Sequence, residues 1–244
     1  IVKALVIALF GAVLFSGCAY VEADLSNDPL EEVNRSIFDL NNELDNSVFE
    51  PVAQAYVENV PDTVRFAVNN FVKFLKTPVT FVNNVLQGNV DGAGNTLSRF
   101  LVNGITGFAG MADVAADSGV HHVKEDFGQT LATWGVGDGL YIVLPLFGPS
   151  NLRDTTGMLL TMATDPINAY AVTEGEAWLV PTRTAANAVD QRSKIIDEVN
   201  ALRNNSVDYY AAVRSSYYQN RKAAIANVDD NELTPLPLIS IEFE

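Results

Sequence analysis

Two glycine-containing segments carry residue types that support catalysis or phosphate binding in other proteins. Gly148 to Leu152 starts like the turn that presents a nucleophilic serine, but the second glycine of that pattern is missing. Serine is also a common N-cap residue of helices, and this interpretation of Ser150 is favoured. The glycine-rich run 135–139 lacks a lysine and a capped helix after it, so it does not predict a phosphate-binding loop.

The two histidines do not predict a catalytic metal centre. His121 and His122 are adjacent in the chain, so their rings project in different directions and make a poor chelate. His122 stands near Glu125 and Asp126, where incidental metal binding competes with the simpler interpretation of a surface loop. The sequence contains no HExxH motif and no Walker loop, and it implies no cofactor.

Cys18 is the only cysteine, and its surroundings predict a covalent modification. Lys3 precedes an apolar run from Ala4 to Phe15 that is interrupted only by Gly11, which is the pattern of a signal peptide. The run ends in Ser16-Gly17-Cys18, which resembles the acylation motif of bacterial lipoproteins. Residues 1–17 are therefore predicted to be a lipoprotein signal peptide, with Cys18 as the lipidation site. The alternative is an ordinary cleavage site with an incidental cysteine.

Lipidation would decide where the protein resides. One acyl chain holds a protein at a membrane only marginally, whereas the three chains of a bacterial lipoprotein make a lasting anchor. Ala19 follows the cysteine. Among lipoproteins as a class, the absence of an aspartate at this position favours the outer membrane. We therefore expect a lipid-anchored protein on the periplasmic face of the bacterial outer membrane.

The charge of the chain excludes one class of partner and is unevenly distributed. A net charge of -15 argues against nucleic acid, because cations that neutralise phosphates are too few. Residues 18–60 contain ten acidic residues and one basic residue, and residues 228–244 contain five acidic residues and no basic one. We expect both ends to face water and to avoid an anionic lipid surface.

The middle of the chain is almost uncharged. The segment from Phe127 to Thr164 contains only three charged residues, which are Asp138, Arg153 and Asp154. Its longest uncharged run is too short for a transmembrane helix, and several glycines and prolines interrupt it. This composition is consistent with a buried core and equally with irregular backbone near lipid.

The apolar spacing predicts an all-α protein with a single domain at residues 18–228, followed by an acidic, proline-containing tail at 229–244. A first helix is expected to start at the N-cap Asp28 with Pro29 in its first turn. Further helices are expected at about 61–76, 77–87, 90–103, 150–162 and 182–227, the last broken near residues 204–206. The stripe of the first helix that is expected to face the core consists of Leu30, Val33, Ile37, Leu40 and Leu44.

An ordered series of short motifs resembles the MlaA/VacJ family of outer-membrane lipoproteins over about residues 27–226. Each motif alone is weak, but their order and the lipobox make the series specific. The motifs near the N-terminus are Asp28-Pro29-Leu30-Glu31, Asn34-Arg35, Asn70-Phe71, Thr77-Pro78, Asn84 to Gly88 and Arg99 to Asn103. The later ones are Asp126 to Leu131, Gly135-Val136-Gly137, Gly139 to Pro145 and Leu152-Arg153-Asp154.

The resemblance implies a fold and a non-enzymatic function. It implies a ring of amphipathic helices in the inner leaflet of the outer membrane, with a channel at its centre. Mislocalised phospholipid would leave the outer leaflet through this channel and pass to a soluble periplasmic carrier, which maintains the lipid asymmetry of the membrane. The resemblance also implies association with a trimeric porin.

We expect the lipid path to run beside two glycine-rich segments. Residues 104–128 would form a mobile segment, and residues 135–148 would form part of the channel wall, with a charged pair at the mouth to meet a zwitterionic headgroup. The alternative is that both segments are packed loops. The candidate residues are Gly104, Gly107, Gly110, Gly135, Gly137, Asp138, Tyr141, Pro145 and Arg153.

Two other functions remain open at this point. A structural or chaperone-like outer-membrane lipoprotein would bind a partner protein through the same apolar surface. A lipid hydrolase would need an activated nucleophile, and the sequence shows none.

Overall fold

The computed structural model describes residues 28–227, and helices account for most of them. A π-helical turn, Asp45–Phe49, joins the first two helices, and one antiparallel hairpin interrupts the helical order. The helices are α1 Glu31–Leu44, α2 Glu50–Asn59, α3 Asp62–Gln87, α4 Val90–Ile105, α5 Val114–Asp117, α6 Phe127–Thr133, α7 Leu152–Thr164, α8 Pro166–Thr173, α9 Leu179–Lys194, α10 Ile196–Asn205 and α11 Tyr209–Ile225. The strands are β1 Tyr141–Leu144 and β2 Gly148–Asn151. The prediction of a mainly helical domain is confirmed, whereas the signal peptide with Cys18 and the tail lie outside the described residues.

Helix α3 corrects the prediction of two helices at this point. It runs through Pro78 without interruption and ends where Gly88 adopts a left-handed conformation with φ of 74°. Pro78 removes one backbone donor, a cost of about 3 kcal/mol in a helix interior. One face of α3 is buried on both sides of the proline, with Val72 and Lys76 before it and Val79 after it. This packing holds the helix continuous.

Polar side chains cap several helix starts. Asn89 accepts a hydrogen bond from the Gly92 N–H at 2.9 Å at the start of α4. Asp126 begins α6 with a complete capping box, in which Gln129 bonds back to the Asp126 N–H. Ser150 was expected to cap α7, but it lies in β2. The cap is Asn151, whose Oδ1 accepts from the Asp154 N–H at 2.7 Å.

The predicted start of the first helix also needs correction. Helix α1 begins at Glu31, so Asp28 is not its N-cap residue. The Asp28 carboxylate instead accepts a hydrogen bond from the Leu30 N–H at 3.2 Å, just before the helix. In the last third of the chain, the expected break near residue 206 is present, and a second break separates α9 from α10 at Ile195.

The hairpin was not predicted from the sequence. Strand β1 pairs with β2 from Tyr141 opposite Asn151 to Leu144 opposite Gly148. Two asparagines on one face of α1 fasten this helix to the hairpin. Asn34 donates to the Tyr141 carbonyl at 3.1 Å and accepts from the Val143 N–H at 2.9 Å. Asn41 donates to the Leu144 carbonyl at 2.9 Å.

An aromatic cluster fills the space between α1, β1 and α11. Phe38 packs edge-on against Tyr210, with ring centroids 5.4 Å apart. The hydroxyl of Tyr210 donates to the Asp28 carboxylate, which links this cluster to the start of α1. The buried members of the cluster are Phe38, Tyr141, Val143, Tyr210, Val213 and Tyr217.

Candidate lipid-facing surface and polar interior

Helix α1 buries a side that carries an asparagine and a phenylalanine, and the predicted core stripe is wrong at two of its central positions. Val33 and Leu40 are exposed, whereas Asn34 and Phe38 are buried. Because Asn34 must reach the backbone of β1, its side of the helix faces the interior. The apolar stripe lies roughly a quarter of a turn from that buried side, so Val33 and Leu40 reach the surface. The side opposite Asn34 carries exposed polar residues such as Asp39. Ile37 is half-buried and packs against the aromatic cluster.

Helices α3 and α4 repeat this arrangement. The apolar spacing after Thr77 predicts that Val79, Val82, Val85 and Leu86 face inward. Val79 is buried, but the other three are exposed, so this prediction is wrong for them. The buried side carries amides and hydroxyls, among them Thr80, Asn83 and Asn84. The Thr130 hydroxyl donates to the side-chain oxygen Oδ1 of Asn83 at 2.7 Å.

Large apolar side chains are exposed along the successive helices α1 to α4 and the loop after them. Monomeric water-soluble proteins rarely leave so much apolar surface uncovered without a binding partner or a membrane. Among residues 28–227, no helix combines the length and apolarity that spanning a bilayer requires. The exposed apolar residues of this region are Val33, Leu40, Val48, Val52, Val64, Phe66, Val82, Val85, Leu86, Val90, Leu97, Phe100, Leu101, Ile105, Phe108 and Met111.

The interior contains ion pairs that join distant segments. Arg192 is fully buried, and its guanidinium binds both carboxylate oxygens of Asp45 at 2.8 and 2.9 Å. It also donates to Glu50 at 3.3 Å, and Arg203 contacts the same two acids. The π-helical turn and the start of α2 thus present two carboxylates to α9 and α10. Buried charges are retained only when they are paired in this way.

A second network of charges holds α6, α7 and α11 together. Arg221 donates to both carboxylate oxygens of Asp126 at 2.6 and 2.7 Å and also contacts Asp154. Burial acts to raise the pKa of Asp126, but the charge and hydrogen bonds of Arg221 outweigh it and hold that pKa well below its usual range. Tyr217 donates its hydroxyl proton to Asp154 in the same network.

The charged pair that was expected at the channel mouth is an internal ion pair. Arg153 is buried and donates to the carboxylates of Asp138 and Asp154. Tyr141 is buried in the aromatic cluster, Gly137 is half-buried, and Gly135 and Pro145 are exposed. Contact of Asp138 and Arg153 with a headgroup stays a prediction.

The other glycines of the predicted lipid path are packed at the end of α4. A side chain on Gly110, which has a φ of 88°, would clash with the Phe74 ring, and Gly104 lies against the same ring. A side chain on Gly107 would clash with the Ala112 carbonyl. The structure thus places Gly104, Gly107 and Gly110 in a different setting from the hairpin. The proposed mobility of this segment stays a prediction.

The family-motif residues have mainly positioning roles in the structure. Asn34 donates to Asp28 at 3.1 Å while it binds β1, so these two residues fix the start of α1. Pro29 is exposed beside them. Asn70 donates to the Met111 carbonyl at 3.3 Å, which links α3 to the loop after α4, and Phe71 is half-buried.

A small polar recess, which the sequence did not predict, lies between α3, α4 and the loop that follows. Arg99 ion-pairs with Asp113 at 2.7 Å, and Asn103 donates to the same carboxylate at 2.9 Å. His122, which was expected in a surface loop, is half-buried in this recess. No group of three or more His, Cys, Asp or Glu in residues 28–227 is arranged to hold a metal ion. The lining residues are Asn70, Lys73, Phe74, Thr77, Arg99, Asn103, Asp113 and His122.

The buried position of His122 predicts a pH-dependent stability. Burial and the nearby positive charges of Lys73, Arg99, Lys76 and Lys124 lower the pKa of His122 from 6.5 to about 3. Below the unfolded pKa, the unfolded chain binds a proton that the folded protein does not, so the free energy of unfolding falls as the pH falls.

Between about pH 6 and about pH 5, we expect His122→Gln to reduce the slope of the free energy of unfolding against pH by up to about 1.4 kcal/mol per pH unit. Urea unfolding at a series of pH values measures the slope. His121→Gln changes the exposed neighbour and should keep the wild-type slope. Identical slopes for wild type and His122→Gln would contradict the assignment.

Comparisons with known proteins agree on one family. The family model described as "MlaA lipoprotein" matches residues 26–224. The chain is 34% identical over 232 residues to the "Intermembrane phospholipid transport system lipoprotein MlaA" of Escherichia coli strain K12, covering 92% of this chain and 88% of that protein. Its counterpart with the same name in Haemophilus influenzae is 31% identical over 227 residues, covering 89% and 88%. A solved structure described as "Structural basis for maintenance of bacterial outer membrane lipid asymmetry" superposes with a TM-score of 0.73 at 32% identity, covering 82% of this chain and 99% of that one.

Proposed function

Since the chain belongs to the MlaA lipoprotein family, we propose that it removes mislocalised phospholipid from the outer leaflet of the outer membrane and passes it to a periplasmic carrier. Relatives of similar length are named as lipoproteins of intermembrane phospholipid transport. The transfer would be non-enzymatic and would maintain the lipid asymmetry of the membrane.

The observation that carries this proposal is the inverted distribution of polar and apolar side chains. Residues such as Asn83, Asn84 and Arg192 are buried, whereas Leu40, Phe100 and Phe108 are exposed. An apolar exterior gains free energy in contact with acyl chains, at about 25 cal/mol per Å² removed from water. A polar interior is suited to the headgroup of an amphiphile. Both features fit a helical body placed in one leaflet.

The proposal includes an arrangement and two partners. The helices would form a ring in the inner leaflet around a channel, with a trimeric porin beside them and a soluble carrier on the periplasmic side. Triacylation of Cys18 would anchor the body to the membrane. The acidic tail at residues 229–244 would stay in water, whereas residues 18–60 include α1 and α2, whose exposed apolar side chains would contact lipid.

A complementation experiment tests the function. In a strain that lacks its own copy, we expect phospholipid to accumulate in the outer leaflet and the wild-type chain to return it to the normal level. Cys18→Ala removes the only possible acylation site, so this variant should leave the outer membrane fraction and fail to complement. The measurement is surface phospholipid, together with the distribution of the protein between membrane fractions.

Two outcomes would contradict this picture. Normal surface phospholipid in the deletion strain would favour a structural or chaperone-like lipoprotein. Full outer-membrane association and activity of Cys18→Ala would show that lipidation is dispensable.

A further inference from the structure

The polar recess between α3 and α4 has an excess of positive charge in an acidic protein. Lys73 and Arg99 line it, and Lys76 and Lys124 lie close enough to depress the pKa of His122. Asp113 is the one carboxylate in its lining, and Arg99 and Asn103 both donate to it. The chain as a whole has a net charge of -15. The lining thus contains two basic side chains and one acidic side chain, in contrast to the chain as a whole.

One face of α3 forms a wall of the recess. Asn70, Lys73, Phe74 and Thr77 recur at helical spacing, so they share one face of α3, and that face meets Arg99 and Asn103 of α4. Helix α5 and the loop before it close the recess, because the Asp113 carboxylate accepts from both of those α4 side chains. The positions of the positive groups are thus fixed by packed helices.

The recess borders directly on the exposed apolar surface. Phe74, which lines it, stacks on Phe100 with parallel rings and centroids 5.0 Å apart. Phe100 belongs to the apolar face of α4, and Asn70 bonds to the backbone of Met111 in the loop that exposes Phe108. Cations beside an apolar surface match the two halves of an amphiphile.

We propose that this recess binds the phosphate of a phospholipid headgroup, with Lys73 as its main charged contact and the acyl chains lying along Phe100 and Phe108. A lysine ammonium binds phosphate through charge-assisted hydrogen bonds, which are stronger than neutral ones. The neutral imidazole of His122 supplies a further polar group at the same place. This inference rests on the proposed function, since it names a place where the transported lipid contacts the protein.

Calorimetric titration of the full chain in dodecyl maltoside tests the site. The probes are dihexanoyl phosphatidylglycerol, inorganic phosphate, and dihexanoylglycerol as the matching lipid without phosphate. We expect saturable binding of the phospholipid, much weaker binding of inorganic phosphate, and the weakest binding of the neutral lipid. Lys73→Gln should weaken phospholipid binding about tenfold, the range of one hydrogen bond to a charged group.

Matched variants separate this effect from general changes in charge or fold. Lys73→Arg keeps the charge and should keep most of the affinity. Lys222→Gln removes one positive charge from an exposed position on α11 and should bind like the wild type. Equal thermal unfolding curves for these variants show that each of them folds.

A spectroscopic measurement locates the ligand. The chain has only two histidines, so their ring protons are simple to follow by NMR. Phospholipid should shift the His122 signals of the wild type and leave those of the exposed His121 in place. In Lys73→Gln the shift should need about tenfold more lipid.

Three results would overturn the proposal. They are unchanged binding in Lys73→Gln, equal binding of the neutral lipid, and binding of inorganic phosphate as tight as that of the phospholipid, which would indicate a free-anion site. Failure of the proposed function is distinguishable from all three, because it would appear as a wild-type chain that does not correct surface phospholipid in the complementation strain.

Discussion

Phe38→Asp is expected to unfold the protein, whereas Leu40→Asp, two residues along the same helix, should leave its stability nearly unchanged. Phe38 is 3% exposed in the aromatic cluster, and an unpaired carboxylate there would lower the free energy of unfolding by more than about 4 kcal/mol. Leu40 is 52% exposed, so its replacement should change that free energy by less than about 0.5 kcal/mol. Circular dichroism of the unacylated chain during thermal unfolding measures both.

Leu40→Asp should nevertheless change membrane binding. In a Cys18→Ala background, which has no anchor, partitioning into phospholipid vesicles reports contact of the helical surface with lipid. If Leu40 inserts into the lipid, its loss lowers the free energy of membrane binding by about 1.5–3 kcal/mol. We therefore expect partitioning to fall at least about tenfold. If Leu40→Asp instead lowers the melting temperature as much as Phe38→Asp, the stripe belongs to the core after all.

Arg192→Met is expected to lower the free energy of unfolding by about 3–5 kcal/mol, because it leaves the buried carboxylate of Asp45 and the half-buried carboxylate of Glu50 with only the partly exposed Arg203 of this network as a cationic partner. Arg35→Met offers a matched control, since Arg35 pairs with Glu31 and Asp208 at the surface. Exposed pairs of this kind contribute about 0–1 kcal/mol. Urea unfolding of both variants gives the comparison.

One outcome of this comparison would contradict the prediction. If Arg192→Met and Arg35→Met lower the free energy of unfolding by the same small amount, the buried network around the π-helical turn does not hold the fold together. A second substitution that restores stability makes the test sharper. Asp45→Asn in the Arg192→Met background removes one of the two stranded charges, and we expect it to recover part of the lost stability.

Local sequence signals predicted the helices but not which way they face. Spacing places Val33 and Leu40 on one side of α1, and in water that side would be buried. Nothing local shows that Asn34 and Asn41 bind the backbone of a strand about one hundred residues later, which turns their side of the helix inward. Amphipathic periodicity therefore predicts which side of a helix faces the protein interior only when it is known whether water or lipid surrounds the helix.

Two elements were missed because tertiary contacts decide them. Thr77-Pro78 has the sequence of a helix start, yet packing on both sides of the proline keeps α3 continuous. The hairpin strands have four residues each and no clear alternation of polar and apolar residues, so no local pattern revealed them. Their backbone pairing is fixed by the register from Tyr141 to Leu144 and by the asparagines of α1.

The candidate sites were predictable only in part. The motif series identified the family, whereas lipidation of Cys18 stays a prediction from the lipobox. The recess as a whole could not be predicted, because Lys73, Arg99, Asp113 and His122 lie on separate elements and meet only after folding. The regular spacing of Asn70, Lys73, Phe74 and Thr77 on one helix face was its only local signal.

The way α1 meets the hairpin has a consequence for self-association. A strand at the edge of a sheet offers unpaired N–H and C=O groups that can recruit a strand from another molecule and start aggregation. Asn34 occupies two of those groups on β1, as it binds the Tyr141 carbonyl and the Val143 N–H just as a neighbouring strand would. Strand β2 is buried along its whole length. One asparagine amide thus serves as a side-chain substitute for part of a third strand, which makes pairing with another molecule harder at this edge.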